Sequence, residues 1–176
     1  NDQETGISIP SVSIRDYPQF EWRGLMMDCS RTFVPIPELK KYIDQLAFYK
    51  MNVLHLHLTD DQGWRVEIKS LPKLTEIGAW RVPRTGPWWT YDAPGENEKA
   101  SVGGFYTHEE IKEVVQYAAD RYIQILPEID VPGHSISMIA AYPNLSSTEL
   151  PYKVNAGNKF YTIEDNALNP AKEEVY

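Results

Sequence analysis

The clearest pattern in this chain is a strict alternation of leucine and histidine over residues 54–58, followed at once by Thr59, Asp60 and Asp61. An alternation with a period of two places the leucines on one face of a strand and places His55 and His57 on the other. The pattern therefore predicts a strand over residues 53–58 that has one apolar face and ends in two carboxylates.

Two other apolar runs predict strands of a similar kind. Residues 22–31 form a run that ends in Asp28 and Arg31, and residues 123–130 form a run that ends in Glu128 and Asp130. Continuous apolar runs of this length are typical of strands that are buried on both faces. We therefore expect residues 22–31 to form a buried strand and residues 123–130 to form a third strand, each with a polar end.

Between the predicted strands the apolar positions change to a helical period. After a turn marked by Pro35 and Pro37, a first helix is predicted from the apolar positions Leu39, Ile43, Leu46, Ala47 and Met51. Asn52 is expected to close that helix. The segment 107–110 has the sequence of a capping box and predicts the start of a second helix. The buried stripe of this second helix is predicted to be Ile111, Val114, Val115, Ala118 and Tyr122.

The order strand, helix, strand with short connections predicts an α/β fold with a parallel sheet. Strands that all end in polar residues fit a (β/α)8 barrel, and the same order also fits a flavodoxin-like open sheet. A complete barrel needs about 250 residues, so these 176 residues are expected to hold its first three to four βα units, an incomplete barrel. Residues 1–19 are assigned to a leading linker and residues 20–176 to the domain.

A long segment, residues 82–104, is rich in Gly, Pro and Trp. Loops longer than about a dozen residues in a compact domain are usually functional or disordered. Trp88, Trp89 and Tyr91 favour a functional loop, because exposed aromatic side chains need something to cover. The Gly103-Gly104 pair lacks the context of a phosphate-binding loop and is interpreted as a hinge or turn. A last helix is predicted to start near Asn169.

Composition excludes several classes of function. The formal charge of −8 argues against nucleic acid or an anionic membrane as the main partner, and no apolar run is long enough to span a bilayer. The single cysteine, Cys29, excludes a disulfide within these residues and a zinc site built from cysteines. Its apolar neighbours predict a small buried hydrophobe rather than a nucleophile.

The polar ends of the three predicted strands provide the candidate chemistry. An imidazole close to carboxylates has its basicity raised and its tautomer fixed, as proton-handling sites require. Because the carboxyl ends of parallel strands meet at one edge, we expect a single rim to carry Asp28, Arg31, Asp60, Asp61, Glu128, Asp130 and His134.

His55 and His57 leave a second interpretation open. A His-x-His pair on a barrel strand begins the zinc site of many metal-dependent hydrolases, although such a pair can also hydrogen-bond inside a barrel. No further cluster of His or Cys follows His134, and His108, at a predicted helix start, is expected to be solvated.

Several long blocks of the chain resemble the catalytic domain of glycoside hydrolase family 20, the β-N-acetylhexosaminidases. They are residues 22–31, residues 55–65, residues 104–107 and residues 127–134, and the resemblance extends from about Phe20 to Tyr176. It implies a (β/α)8 barrel that removes terminal β-linked GlcNAc or GalNAc with retention. In that family the 2-acetamido oxygen of the sugar attacks the anomeric carbon, in place of an enzyme nucleophile.

The resemblance also implies roles for individual residues. Arg31 resembles the residue that holds the 3- and 4-hydroxyls of the sugar, and Asp60 and His134 resemble the relay that orients the general acid. Asp130 would support the aspartate that orients the acetamide. Trp64, Trp88 and Trp89 either line the pocket or pack against the rim. No cofactor and no metal are implied.

One departure from the family is expected to matter for activity. The family's Asp-Glu pair lies in a Gly-Gly-Asp-Glu segment, which does not occur in these residues, so the polypeptide alone is expected to be an inactive fragment that self-associates through an open barrel edge. The expected partner is a terminal β-linked N-acetylhexosamine of glycans or chitooligosaccharides, with no nucleic acid and no membrane insertion. The family resemblance suggests an exported protein. Two alternatives remain, a metal-dependent barrel hydrolase that uses His55 and His57, and a non-catalytic sugar-binding or assembly module.

Overall fold

The computed structural model describes residues 10–87, 91–157 and 167–176. Their α-helices are α1 (Ile36–Phe48), α2 (Lys73–Glu76), α3 (His108–Ala119) and α4 (Ile136–Ala141), with short 3-10 helices at Pro143–Leu145 and Glu173–Val175. Their strands are β1 (Gly24–Asp28), β2 (Val53–His57), β3 (Thr59–Asp60), β4 (Gly63–Trp64), β5 (Trp80–Arg81), β6 (Val102–Gly103) and β7 (Gln124–Glu128).

The main sheet has three parallel strands in the order β1-β2-β7, which confirms the predicted α/β class. Helices α1 and α3 connect these strands and pack against each other and against one face of the sheet. The register aligns Asp28 with His57 and His57 with Glu128. The three predicted strand ends therefore lie side by side.

The core lies between the sheet and the two helices. The leucines of β2, Leu54 and Leu56, are buried there with the α1 residues Leu39 and Ile43. Helix α1 ends at Phe48 rather than at Asn52, because Lys50 takes a left-handed conformation with φ of 57° and reverses the chain. Asn52 instead accepts a hydrogen bond from the backbone N–H of Arg23 at 2.8 Å.

The capping box of α3 is confirmed, but its predicted buried stripe is partly wrong. Thr107 Oγ1 accepts from the backbone N–H of Glu110, and the Glu110 carboxylate accepts from the backbone N–H of Thr107. Val115 lies one position beyond the buried Val114 and faces solvent, since successive helix positions are about 100° apart. Tyr122 follows the end of the helix with φ of 59° and is exposed.

The prediction that β1 is buried on both faces is wrong for the described residues. Met27 is 8% exposed, but its neighbour Met26 is 52% exposed on the other face. β1 forms one edge of the sheet, and both connecting helices pack on the opposite side from Met26. An edge strand that is covered on one face exposes its other apolar residues.

The long segment 82–104 is anchored at its two ends by β5 and β6. β5 pairs with β6, and Trp80 lies opposite Gly103. Gly103 has φ of 152°, and a Cβ there would lie 1.9 Å from the carbonyl oxygen of Ala79, so this position needs glycine because two backbones approach closely. Gly103 thus belongs to β6 and Gly104 follows it directly, so the pair is not a hinge. Trp88 and Trp89 lie outside the described residues.

The last part of the chain differs from prediction in two places. Helix α4 was not predicted, because six residues are too few to establish a helical period. The helix expected near Asn169 is a turn followed by the 3-10 helix Glu173–Val175. Residues 10–19 are exposed and contain no regular element, and the boundary of the leading linker stays a prediction. None of the helices in the described ranges is long and apolar enough to cross a membrane.

Candidate active site

Asp60 is the centre of the polar network at the carboxyl ends of the main strands. Its side chain is 1% exposed, and both of its oxygens are occupied. Oδ2 accepts from Arg31 Nη2 at 2.6 Å and from His57 Nε2 at 2.8 Å. Oδ1 accepts from the backbone N–H of Asp61 at 2.7 Å and from His134 Nδ1 at 3.2 Å.

These contacts decide the charge of Asp60. Burial by itself would raise the pKa of its carboxyl, but hydrogen bonds from His57 and from the backbone of Asp61, together with the charge of Arg31, lower the pKa below its ordinary value. A buried carboxylate is tolerated only when it is paired in this way. Asp60 is therefore an anion at neutral pH.

Arg31 is held by three side chains of the rim. Its Nη1 donates to Asp28 at 2.9 Å, its Nε donates to Gln62 at 3.1 Å, and its Nη2 donates to Asp60. A guanidinium carries five N–H donors, so two N–H groups remain for a ligand at this partly exposed position. Sequence reasoning missed Gln62; its place directly after the two aspartates was the available signal.

His57 contacts Asp60 directly and was not predicted to do so. Its second ring nitrogen, Nδ1, lies 2.7 Å from Glu128 Oε1, and Glu128 also pairs with His55 Nε2. The hydrogen bond to Asp60 raises the pKa of the His57 imidazole, against the opposite effect of burial, and Glu128 raises it further. The spacing of three residues between His57 and Asp60 was the sequence signal for this contact.

The two adjacent aspartates have different surroundings. Asp61 was expected on the rim, but its Oδ1 accepts from the backbone N–H of Ile136 at 3.2 Å, so it holds the start of α4 beneath the rim. Burial raises the pKa of the Asp61 carboxyl. Asp130 lies at the rim, where its backbone N–H donates to Thr59 Oγ1 at 2.8 Å. Its carboxylate lies near His57 and Asp60.

The described residues contain two groups of side chains close enough to surround a metal ion. One is His57 with Asp60 and Asp130, and the other is Asp60 with Asp61 and His134. His55 belongs to neither, so within the described residues the alternative ligand pair of His55 and His57 does not share one such group. The guanidinium of Arg31 already supplies a positive charge 2.6 Å from Asp60. The arrangement favours a network of ion pairs over a metal centre.

Arg65 supports the rim from below. It is fully buried, and its guanidinium donates to the carbonyl oxygens of Cys29, Ser30, Ala79 and Gly104. Burial lowers the pKa of Arg65 to about 10. These bonds join the end of β1 to the β5-β6 pair. Cys29 beside it is completely buried, which confirms its prediction as a buried hydrophobe.

Two other predicted positions serve packing. Trp64 is buried against Leu74 and Ala141, and its Nε1 donates to the carbonyl of Val66 at 2.6 Å, so it packs below the rim. His108 was expected to be solvated, but it is half-buried, and its Nε2 lies 2.9 Å from the carbonyl oxygen of Glu67.

Comparison with known proteins identifies the family. Residues 20–176 match the family model described as glycosyl hydrolase family 20, catalytic domain. The chain belongs to glycosyl hydrolase family 20. The match begins close to the predicted domain start and includes the whole polar network around Asp60.

Individual members of the family are similar over nearly the whole chain. A beta-hexosaminidase of Vibrio furnissii is 47% identical over 96% of this chain and 26% of its own length. A solved beta-N-acetylhexosaminidase superimposes with a TM-score of 0.75 at 39% identity, over 91% of this chain and 31% of that one. An exo beta-N-acetylglucosaminidase of Vibrio harveyi, solved with N-acetylglucosamine, has a TM-score of 0.69 at 44% identity, over 90% of this chain and 24% of that one. The chain thus spans about a quarter of the length of the Vibrio furnissii relative.

Proposed function

We propose that this chain contributes the first part of the sugar-binding and proton-handling site of a β-N-acetylhexosaminidase. The reaction would remove a terminal β-linked GlcNAc or GalNAc with retention, through attack by the 2-acetamido oxygen of the sugar itself. One observation carries the proposal: Arg31, Asp60 and His134 meet on one rim. The similarity to a beta-hexosaminidase at 47% identity supports it.

Each of the rim residues has a proposed role. The two remaining N–H groups of Arg31 would donate to two adjacent hydroxyls of the sugar, a geometry that suits a planar guanidinium. Asp60 would fix the orientation of His134 through the bond to Nδ1, which leaves the Nε2 of this partly exposed ring for the general acid. Asp130 would support the residue that orients the acetamide.

The general acid itself is proposed to come from outside these 176 residues, which contain no Gly-Gly-Asp-Glu segment. Without the acid and without the aspartate that orients the acetamide, most of the rate enhancement is lost. The isolated polypeptide would then release no nitrophenol from 4-nitrophenyl β-GlcNAc. Release that persists after exhaustive purification would contradict this part of the proposal.

We propose further that the three parallel strands belong to a (β/α)8 barrel. The sheet face opposite α1 and α3 carries the exposed Met26 and Leu126, and within the described residues β1 and β7 each pair with one strand only. Open edges and an exposed apolar face favour association with further strands. The isolated polypeptide is expected to self-associate, which sedimentation velocity would detect; a stable monomer at high concentration would count against the barrel.

The decisive experiment uses the intact gene product and 4-nitrophenyl β-GlcNAc. Hydrolysis is expected, and Asp60→Asn should lower kcat by about 10²-fold, in the range of lost acid-base assistance. Asp120→Asn is the matched control, because Asp120 is exposed directly after the end of α3 and, among the described side chains, its carboxylate accepts only from Gln116. Absence of hydrolysis, or an Asp60→Asn enzyme with full activity and native circular dichroism, would refute the proposal.

A second candidate function is sugar binding without catalysis. The observation that favours it is the donor capacity that Arg31 retains in a polypeptide without the acid. Titration of the 176-residue polypeptide with N-acetylglucosamine, followed by tryptophan fluorescence, tests it. A saturable change that Arg31→Met abolishes would support binding, and an unchanged spectrum would exclude it.

A further inference from the structure

His57 is held between two carboxylates. Its Nε2 lies 2.8 Å from Asp60 Oδ2, and its Nδ1 lies 2.7 Å from Glu128 Oε1. Asp60 follows β2 directly, while Glu128 is the last residue of β7, which the parallel register aligns with His57. The ring is almost completely buried, so water has little access to either nitrogen.

This geometry limits the protonation states of His57. A neutral imidazole carries one N–H donor and one lone pair, whereas a carboxylate oxygen can only accept. A neutral ring would therefore direct its lone pair at the oxygen of Asp60 or of Glu128. Both contacts become hydrogen bonds only when both ring nitrogens carry a proton, or when one of the carboxyl groups holds the proton instead.

The surroundings of the two carboxylates favour the charged ring. Asp60 also accepts from Arg31 and from the backbone N–H of Asp61, and these donors stabilise its anion. Glu128 is about one-third exposed and also pairs with His55, so its anion is both solvated and hydrogen-bonded. Protonation of either carboxyl would weaken those additional bonds. The pKa of the His57 imidazole is raised, which also favours the charged ring.

We propose that His57 is an imidazolium across the neutral pH range and that it acts as a positioning residue for Asp60. Its charge keeps Asp60 ionised, so that Asp60 accepts from His134 and does not itself exchange protons. His134 differs in that only its Nδ1 is bonded within the described part of the chain, and its side chain is 44% exposed. The two imidazoles on one aspartate therefore differ, because His57 is bonded at both ring nitrogens and His134 at one.

The charges around His57 come from all three main strands and the loops that follow them. Negative groups exceed positive ones, which favours the imidazolium. The groups that face it are Asp28 of β1, Arg31 of the following loop, His55 of β2, Asp60 after β2, Glu128 of β7, and Asp130 and His134 after β7. Only the role as a positioning residue rests on the proposed function; the protonation state does not.

The test is a long-range ¹H-¹⁵N correlation spectrum of the imidazoles of the 176-residue polypeptide between pH 5 and pH 9. The four histidines are assigned with single His→Gln variants. We expect both nitrogens of His57 to be in the protonated range at pH 7, above the unfolded pKa of about 6.5 for a histidine. A His57 spectrum at pH 7 with one protonated and one unprotonated nitrogen would overturn the proposal.

A variant separates this role from simple packing. Glu128→Gln keeps the shape of the side chain but can offer a neutral oxygen or an N–H, so His57 should lose its proton at lower pH than in the native polypeptide. Glu109→Gln, on the exposed side of α3, is the matched control and should leave His57 unchanged. An unaltered His57 titration in folded Glu128→Gln refutes the two-carboxylate explanation. If that variant does not fold, the native titration alone decides. No substrate is used, so failure of the proposed hydrolysis would leave this result intact.

Discussion

The two faces of the main sheet are built from alternate residues of the same strands, but their surroundings differ. On the face that α1 and α3 cover, Leu56 is 1% exposed and makes core contacts. On the opposite face Leu126 is 36% exposed, and His55 is only partly buried. The alternation assigns residues to faces, whereas the helices decide which face becomes the core.

The opposite face changes character at its carboxyl end. There the apolar residues are replaced by Asp28, His57 and Glu128, and burial returns with Asp60. On the helix side burial is stabilised by apolar contacts, and at this end it is tolerated because the buried carboxylate of Asp60 is paired with Arg31 and His57. On the helix side the protein is destabilised by mutations that open a cavity. At the charged end it is destabilised by mutations that leave a buried charge unpaired.

The largest effect is expected from breaking the charged end. Asp60→Asn should cost about 3 kcal/mol of unfolding free energy, because the acceptor shared by Arg31 and His57 loses its charge. Urea denaturation of the 176-residue polypeptide measures this loss. Asp120→Asn is the matched exposed change and should stay within about 0.5 kcal/mol. Equal stability of the two variants would mean that the network around Asp60 contributes nothing.

A pair of leucine truncations compares the two faces directly. Leu56→Ala should cost about 2–5 kcal/mol, because it opens a cavity in the covered face. Leu126→Ala, on the opposite face, should cost less than about 1 kcal/mol, because solvent already reaches that side chain. Chemical denaturation of the two variants at the same pH measures both losses of stability. Similar losses at the two positions would show that the opposite face is covered in solution, for example by self-association.

The charged end should also give stability a dependence on pH. The pKa of His57 is raised in the folded protein, so its contribution is fully present below its unfolded pKa of about 6.5 and is lost as pH rises through the folded pKa. The stability advantage of the native polypeptide over His57→Gln should therefore narrow on the alkaline side. Denaturation series at pH 5.5, 7 and 9 measure this difference. A constant difference across these series would contradict the assignment.

The smallest difference in stability between two variants is expected on α3, where a buried and an exposed position lie next to each other on one helix. Val114→Ala should cost about 1–2 kcal/mol, because it removes two buried carbon groups. Val115→Ala should change stability by no more than about 0.5 kcal/mol, since the side chain faces solvent and alanine favours the helix. Thermal unfolding of the two variants measures the two losses. A larger loss of stability at Val115 than at Val114 would contradict the orientation of α3 described above.

Much of the fold was predictable because it depends on local patterns. The period of two in β2, the capping box at Thr107 and the buried Cys29 were all predicted and are all observed. Tyr122 was assigned wrongly because the helical period continues one turn beyond the place where the helix ends. Helix α4 was missed because its six residues establish no helical period, and the side chain that holds its start, Asp61, lies 75 residues away in the sequence.

Strand order predicted that Asp60 and His134 share one rim, because the ends of neighbouring parallel strands meet at one edge, and the family resemblance implied their pairing. The contacts of Asp60 with His57 and of Arg31 with Gln62 were not expected, because they depend on side-chain directions within that edge. The catalytic roles of Arg31, Asp60 and His134 stay predictions, which the experiments above test.

By itself the sequence determined the alternation of faces, the order of strands and helices, and the residues available at each strand end, since these follow from local periodicity and chain connectivity. Only the tertiary structure decided how the adjacent carboxylates Asp60 and Asp61 are used. The parallel register directs Asp60 to Arg31 and two imidazoles, and the packing of α4 directs Asp61 to a backbone N–H. Contacts between residues more than 70 positions apart depend on register and packing, which a single sequence does not specify locally.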